Sequence, residues 1–453
     1  MTVNVSPSST APIYTYKITA GKVLSNLGLI TIPGNFPVGN YIVVQNQSTT
    51  LNIGSGSFGS SANGFPQYFY NTTGSTTATV NLNSPYILSY TNRANYIAFG
   101  TTYNFYVTAT YGNGLFLAGG YINGASYFPH FVGSTDGITW TTRNHGFGTT
   151  RGQVNAIAYS STLTNKYIVG GQGVNSGLNL SYALSTSTDG ITWTTRNPGF
   201  GTSIGSVTAL AAGNGIYLAA STYTAVAPHS VSINTSTDGV TWTARLTNSA
   251  LFGTTNPTIK TIAYGAGLTN QYIAGGYTDN GAGVQYPILA SSTDAITWTT
   301  RSIAGYAGGG GLNAYSGVNS IVFGISRYVG AVPGAFGSSS IALVVSTDGA
   351  TWNAGVSSTS GFTNVIYNSN GYTAWPQTSG TIQSSTDGVT WTAIPETLSM
   401  SYGFLTYGIS ATNPYVVVTN SLGGIFSSLN IMGDLTSDYY VRIEGPSPVT
   451  TIL

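Results

Sequence analysis

The chain has 453 residues and is 41% hydrophobic, yet only 5% of it is charged, against roughly 25% in an ordinary soluble protein. A formal net charge of +1 offers no basic surface for gripping phosphate backbones, so nucleic acid is not an expected partner. There is no Cys for disulfides or thiolate metal sites, and no apolar run reaches the roughly 18 residues of a membrane span.

Residues 1–100 read as a small β-rich domain. Its opening, MTVNVSPSSTAPIY, has no basic residue followed by an apolar core, so no secretory leader is expected. Alternating segments such as NYIVVQNQ (Asn40–Gln47) and SPYILSY (Ser84–Tyr90) suit strands, and SGSFGSSANG (Ser55–Gly64) suits a loop.

From residue 101 to 453 the chain repeats, and the repeat decides the architecture. FYVTATYGNGLFLAGG from Phe105 opens a first unit, and paired apolar strands recur downstream as VNAIAYS/KYIVGGQ, VTALAAGNGIYLAA, IKTIAYG/QYIAGGY, VNSIVFG/RYVGAV and FTNVIYNSNGYTAW. Each pair is followed by one heptapeptide. The copies are STDGITW (Ser134–Trp140), STDGITW (Ser187–Trp193), STDGVTW (Ser236–Trp242), STDAITW (Ser292–Trp298), STDGATW (Ser346–Trp352) and STDGVTW (Ser385–Trp391).

Asp136, Asp189, Asp238, Asp294, Asp348 and Asp387 sit at the turn of each copy, spaced 53, 49, 56, 54 and 39 residues apart by subtraction. Asp-Gly between strand formers predicts a two-residue type I′ hairpin, with the carboxylate accepting backbone N–H groups. Trp140, Trp193, Trp242, Trp298, Trp352 and Trp391 then face the core as structural side chains. A further pair, FLTYGISATNPYVVVTN from Phe404, follows the last heptapeptide, with an eroded turn at Ser427–Asn430 and DYYVRIEG from Asp438 as the closing strand. Seven four-stranded units predict an all-β, seven-bladed β-propeller with short hairpins, preceded by the small β-domain.

The heptapeptides resemble the Asp-box repeats of sialidases and related propellers, whose pattern is Ser-x-Asp-x-Gly-x-Thr-Trp. They depart from it in every copy by lacking the residue between Asp and Gly. The resemblance covers about three quarters of the chain. It implies the fold more than the task, because such boxes occur in propellers with unrelated functions.

A sialidase-type site would need an arginine triad, a Tyr–Glu nucleophile pair and an acidic Asp. Four of the eight arginines (Arg143, Arg196, Arg245, Arg301) stand three residues after a box Trp, a repetition that marks them as structural, spread over the blade rim or stacked on aromatics. Asp279 and Glu396 are carboxylates outside the boxes, and each reads as a solvated loop residue. His130, His145 and His229 read as lone edge residues without ligand spacing. The run Gly308–Gly311 lacks the Lys-Ser/Thr of a phosphate loop. No catalytic, cofactor or metal residues are expected, so the expectation is a chain that is not an enzyme.

An outward-facing composition without a leader fits a virion structural protein of a tailed bacteriophage, such as a fibre, spike or decoration component. In that reading residues 1–100 attach it to other virion proteins, it forms a homo-oligomer, and Tyr-rich loops such as Gly120–Phe131 and Tyr277–Ile288 meet a host surface glycan. The alternatives are a sialidase-like glycan-processing enzyme and a secreted adhesion module.

Overall fold

The computed structural model describes side chains over most of residues 105–393 and at 406–408, and the backbone alone of strands outside them, from Thr2–Ser6 to Tyr439–Glu444. The chain divides into two units, Met1–Ser89 with Asn430–Leu453, and Tyr90–Leu429.

The first unit holds a six-stranded antiparallel sheet in the order Thr2–Ser6, Ile13–Ile18, Tyr439–Glu444, Tyr41–Gln45, Gln67–Asn71, Phe58–Ser60. A second sheet joins Ile30–Ile32, Ala78–Asn83 and Thr50–Gly54. Two expectations change here. Phe58–Ser60, read as loop, is an edge strand on Gln67–Asn71. Tyr439–Glu444, read as the closing strand of the propeller, lies between Ile13–Ile18 and Tyr41–Gln45.

The second unit is the propeller. Blades 1 to 4 are four-stranded antiparallel meanders of consecutive strands, beginning at Tyr103–Gly112, Gln153–Tyr159, Gly205–Gly213 and Thr258–Tyr264. Blade 5 begins at Ser320–Gly324 and takes an extra strand, Ile303–Ala304, parallel to Trp352–Ser358. Blade 6 begins at Phe362–Asn368.

These six blades are built wholly of consecutive strands. A further sheet takes Gly403–Tyr407, Tyr415–Thr419 and Ile425–Ser428 from the end of the unit and Thr91–Ala94 from its start. The expected seven consecutive blades are corrected accordingly: the outer strand of the last sheet precedes blade 1. The unit therefore starts at Tyr90 and ends at Leu429, in place of a boundary at residue 100. The first strands of the seven sheets neighbour one another in cyclic order, with Gly403–Tyr407 next to Tyr103–Gly112, so the ring closes.

Small and β-branched residues fill the second strands because both faces are covered by neighbouring blades. Tyr167, Ile168 and Val169 are fully buried, as are Tyr217, Leu218 and Ala219. The tyrosine opening each of these strands crosses to the preceding blade. Tyr167 Oη donates to the Gly112 carbonyl at 2.6 Å, Tyr217 to Asn165 at 2.6 Å, and Tyr328 to Gln271 at 2.6 Å. Tyr372 donates likewise to Gly324, and Tyr272 bonds the side chain of Asn214.

The box turns differ from the type I′ expectation. Positive φ occurs at Gly137, Gly190, Gly239, Gly349 and Gly388 (71° to 73°), and at no box aspartate. In blade 2 the ladder breaks between Thr186 and Thr194, so the box spans a longer loop than two residues. The carboxylate stabilises that loop from within. Asp189 Oδ1 accepts N–H bonds from Ile191 and Thr192, both at 2.8 Å, while Ser187 Oγ accepts the Gly190 N–H at 2.8 Å. Asp136, Asp238, Asp348 and Asp387 repeat this arrangement, and Asp294 repeats its carboxylate half. The N–H groups of Val389 and Thr390 hold the Asp387 carboxyl down at about 2.

Trp140, Trp298 and Trp352 are buried, and Trp193, Trp242 and Trp391 are half-buried. The repeated arginines bond inward: Arg196 Nε donates to Thr186 Oγ1 at 3.0 Å, Arg245 to Thr235 at 2.8 Å, and Arg301 to Ser291 at 2.7 Å. Blade 1 has Gly133 at the hydroxyl position, and Arg143 Nε is buried without a partner. This replaces the rim or stacking role expected for them.

Ala295 occupies the glycine position of its box at φ 62°. A Cβ in the left-handed region costs roughly 1–2 kcal/mol, and a buried methyl returns about 0.8 kcal/mol. Ala295→Gly should therefore be neutral to mildly stabilising in urea melts. Gly239→Ala, whose Cβ meets Thr186 Cγ2 at 3.2 Å, should lose about 1 kcal/mol. Gly349→Ala should lose more, because its Cβ meets the Asn270 carbonyl oxygen at 2.6 Å. Equal losses at 239 and 349 would contradict this packing.

Candidate functional site

The first strand of a blade carries a β-bulge at one repeated place. The register skips Val107 between Tyr106 and Thr108, Asn155 between Val154 and Ala156, and Thr208 between Val207 and Ala209. It skips Lys260 between Ile259 and Thr261, and Thr363 between Phe362 and Asn364. In blade 5, Val318-Asn319-Ser320 aligns with Val154-Asn155-Ala156 and places Asn319 there. A bulge adds one unpaired residue and re-aims its side chain.

All six of these residues line one cavity of about 780 Å³ on the inner strands of the propeller. Gln153, Gln172, Tyr277, Gln285 and Asn364 extend the lining. Among the described lining residues Lys260 is the only charged one.

Part of this polar lining joins blades. Asn155 Nδ2 donates to Ser206 Oγ at 2.6 Å and to the Val207 carbonyl at 3.0 Å, and Asn364 Nδ2 donates to Ser320 Oγ at 3.3 Å. Hydrogen-bonding capacity is left over on blade 3, where Thr208 Oγ1 and Thr222 Oγ1 are buried with no protein partner. On blade 4 the exposed Lys260 Nζ lies 5.7 Å from the centre of the Tyr277 ring.

Asp279 ends the strand that carries Tyr277 and pairs in register with Gln285. Its Oδ2 accepts from Asn256 Nδ2 at 3.0 Å, so it is a strand-end carboxylate with a partner, where a solvated loop residue was expected. Glu396 lies on Thr392–Leu398, with its side chain outside the described residues, as are His229 and Gly308–Gly311.

The sequence reading missed the bulge ring. A signal was available: Gly119–Gly120, Gly170–Gly171 and Gly275–Gly276 stand opposite three bulges, where neighbouring atoms fill the space of a Cβ. No group of three or more His, Cys, Asp or Glu residues that could hold a metal occurs among the described residues.

The histidine expectation is also corrected. His130 and His145 are buried (5% and 7% exposed). His130 Nε2 and Tyr106 Oη share a 3.1 Å hydrogen bond, and His145 Nδ1 accepts the Phe147 N–H at 3.0 Å. Burial, with the neighbouring His145, lowers His130 to about 4. Burial lowers His145 to about 4 against the opposing effect of the Pro129 carbonyl.

No protein-family model matches the chain, and no curated protein matches it. Similar solved structures include a Trypanosoma rangeli sialidase in complex with 2,3-difluorosialic acid (15% identity, TM-score 0.40, 64% of this chain and 53% of that one). Thus the alignment spans about half the length of that sialidase. A Dyadobacter fermentans protein of unknown function matches at 13% identity and TM-score 0.39, over 76% of this chain and 94% of that one. A Bacteroides ovatus glycosyl hydrolase matches at 14% identity and TM-score 0.31, over 56% and 83%. The expectation that the chain is not an enzyme is withdrawn on this finding, because named sialidases and glycoside hydrolases stand among its structural neighbours. The propeller itself rests on the sheet order above, not on these similarities.

The buried histidines give stability a defined pH dependence. Both folded values lie below the ordinary 6.5, so the unfolded chain binds more protons between about 4 and 6.5. The histidine contribution is full above 6.5, falls as pH drops towards 4, and flattens below it, with on the order of 3 kcal/mol at stake per histidine. Blade 2 carries Pro198 where blade 1 carries His145. Urea unfolding of His145→Pro at pH 7 and 4.5 should show a smaller acid loss than the parent. An identical pH profile would contradict the assignment.

Proposed function

We propose that the chain engages a glycan in the central cavity of its propeller. The observation that carries this reading is the lining: amides and hydroxyls from six blades, with Tyr277 beside them, brought to one cavity by repeated bulges. Sugars are bound by such groups, through hydrogen bonds to their hydroxyls and apolar contact with an aromatic face.

Processing of that glycan is the finer reading. Glycoside hydrolysis ordinarily uses two carboxyl groups roughly 5 to 9.5 Å apart. Asp279 shares its strand with the cavity residue Tyr277, which makes it the carboxylate whose amide variant tests turnover.

Location and partners are proposed from composition: a phage virion, attachment to other virion proteins through residues 1–100, and a homo-oligomeric state. A chain only 5% charged has little electrostatic repulsion to keep copies apart, which suits life in a fixed assembly. A genomic neighbourhood without capsid or tail genes would remove this reading.

Full-length protein on a glycan array, followed by calorimetry on the best ligands, should give saturable binding that weakens at least tenfold in Gln285→Ala with Tyr277→Ala. Binding unchanged by that double variant, or no binding to any glycan, would sink the proposal. Released sugar that disappears in Asp279→Asn would establish processing.

A further inference from the structure

We propose that the cavity selects a saccharide bearing an anionic group, carboxylate or sulfate, and that the Lys260 ammonium is the group that reads it. This rests on the glycan reading above and names its ligand class.

The argument starts from the repeat. A residue that the scaffold needs recurs along the ring, as the box aspartates do in blades 1 to 6 and the latch tyrosines in blades 2 to 6. At the bulge position five blades carry the neutral residues Val107, Asn155, Thr208, Asn319 and Thr363. Blade 4 alone among these carries a cation. The bulge does not need it, since the same backbone irregularity forms without charge in blades 1, 2, 3 and 6. Lysine is also scarce here, with four in the chain, Lys17, Lys22, Lys166 and Lys260.

The setting keeps the charge available. Lys260 is exposed in the cavity, and its ammonium lies over the face of the Tyr277 ring, 5.7 Å from the ring centre. A ring face steadies an ammonium without neutralising it, whereas a carboxylate partner would consume its charge. No carboxylate lies among the described lining residues, and Asp279 Oδ2 accepts from Asn256. One positive charge among neutral walls concentrates anions at that point.

Gln285 lines the cavity from the same blade, and the adjoining blade 3 supplies Thr208 and Thr222. An anion on Lys260 is thus flanked by groups suited to the hydroxyls of a sugar ring. An ammonium is a compact point charge with rotatable donors, without the planar fork of a guanidinium that favours bidentate carboxylate geometry. Sulfate and carboxylate are therefore both admissible.

The test is calorimetry on the full-length protein at low ionic strength with three probes of similar size. These are a galacturonic acid trisaccharide, a sulfated galactose trisaccharide and the neutral galactose trisaccharide. At least one anionic probe should bind ten or more times tighter than the neutral one, with the advantage shrinking as salt rises. Lys260→Gln should abolish the advantage of the anionic probe over the neutral one, and Lys260→Arg should restore most of it. Whichever anionic probe binds tighter identifies the source of the charge. Equal binding of all three, unmoved by Lys260→Gln, would overturn the role of Lys260 and leave the glycan reading standing. Failure of all three probes on the parent protein, with no glycan bound on the array, would overturn both.

Discussion

The propeller depends on a hydrogen bond that crosses from each of blades 2 to 6 to the one before it. A four-stranded sheet with apolar residues on both faces is not stable alone; it must be covered on each side. The tyrosine hydroxyl at the start of the second strand reaches the hairpin of the preceding blade, at Gly112, Asn165, Gln271 and Gly324. The ring of the same tyrosine packs near the box tryptophan, as in Tyr167 with Trp193 and Tyr372 with Trp391. One side chain thus links the hydrogen-bonded and the apolar parts of each junction. In a chain with this little charge, such neutral bonds carry the specificity that ion pairs carry elsewhere.

Repetition and departure from it divide the work. The Ser, Asp, Gly and Trp of the box, the arginine after it and the latch tyrosine are scaffold, used blade after blade. The bulge is scaffold in its backbone and variable in its side chain, which is what a binding cavity assembled from repeats requires. Blade 1 shows that departures also weaken the scaffold. With Gly133 in place of a hydroxyl residue, Arg143 Nε is left buried without a partner. The buried His130 and His145 occur in that same blade and its exit loop, so acid acts at the junction of blades 1 and 2.

Much of this was legible in the sequence, and what was not has a physical reason. The boxes and apolar strand pairs are local patterns, and they pointed to the propeller. The box turn was misread because Asp-Gly signals a tight hairpin by local propensity, while the carboxylate here spans two N–H groups of a longer loop. The closing strand was misread because Thr91–Ala94 has no strand-like composition, and its partner Ile425–Ser428 lies more than 300 residues away in sequence. Tyr439–Glu444, which does look like a strand, belongs to the other unit. The histidine pair was invisible for the same reason: a 15-residue separation says nothing about two rings brought together by a blade edge and the loop after it.

The central claim is that neutral latches between blades hold the ring, and the most direct measurement is the stability of Tyr217→Phe. The substitution removes one oxygen from a fully buried ring and leaves the Asn165 carbonyl, 2.6 Å away, without its donor. Equilibrium urea unfolding should show a loss of about 0.5–1.5 kcal/mol, the net contribution of a typical hydrogen bond, at this part-buried acceptor. A variant within about 0.5 kcal/mol of the parent, the range of an ordinary surface substitution, would contradict the account.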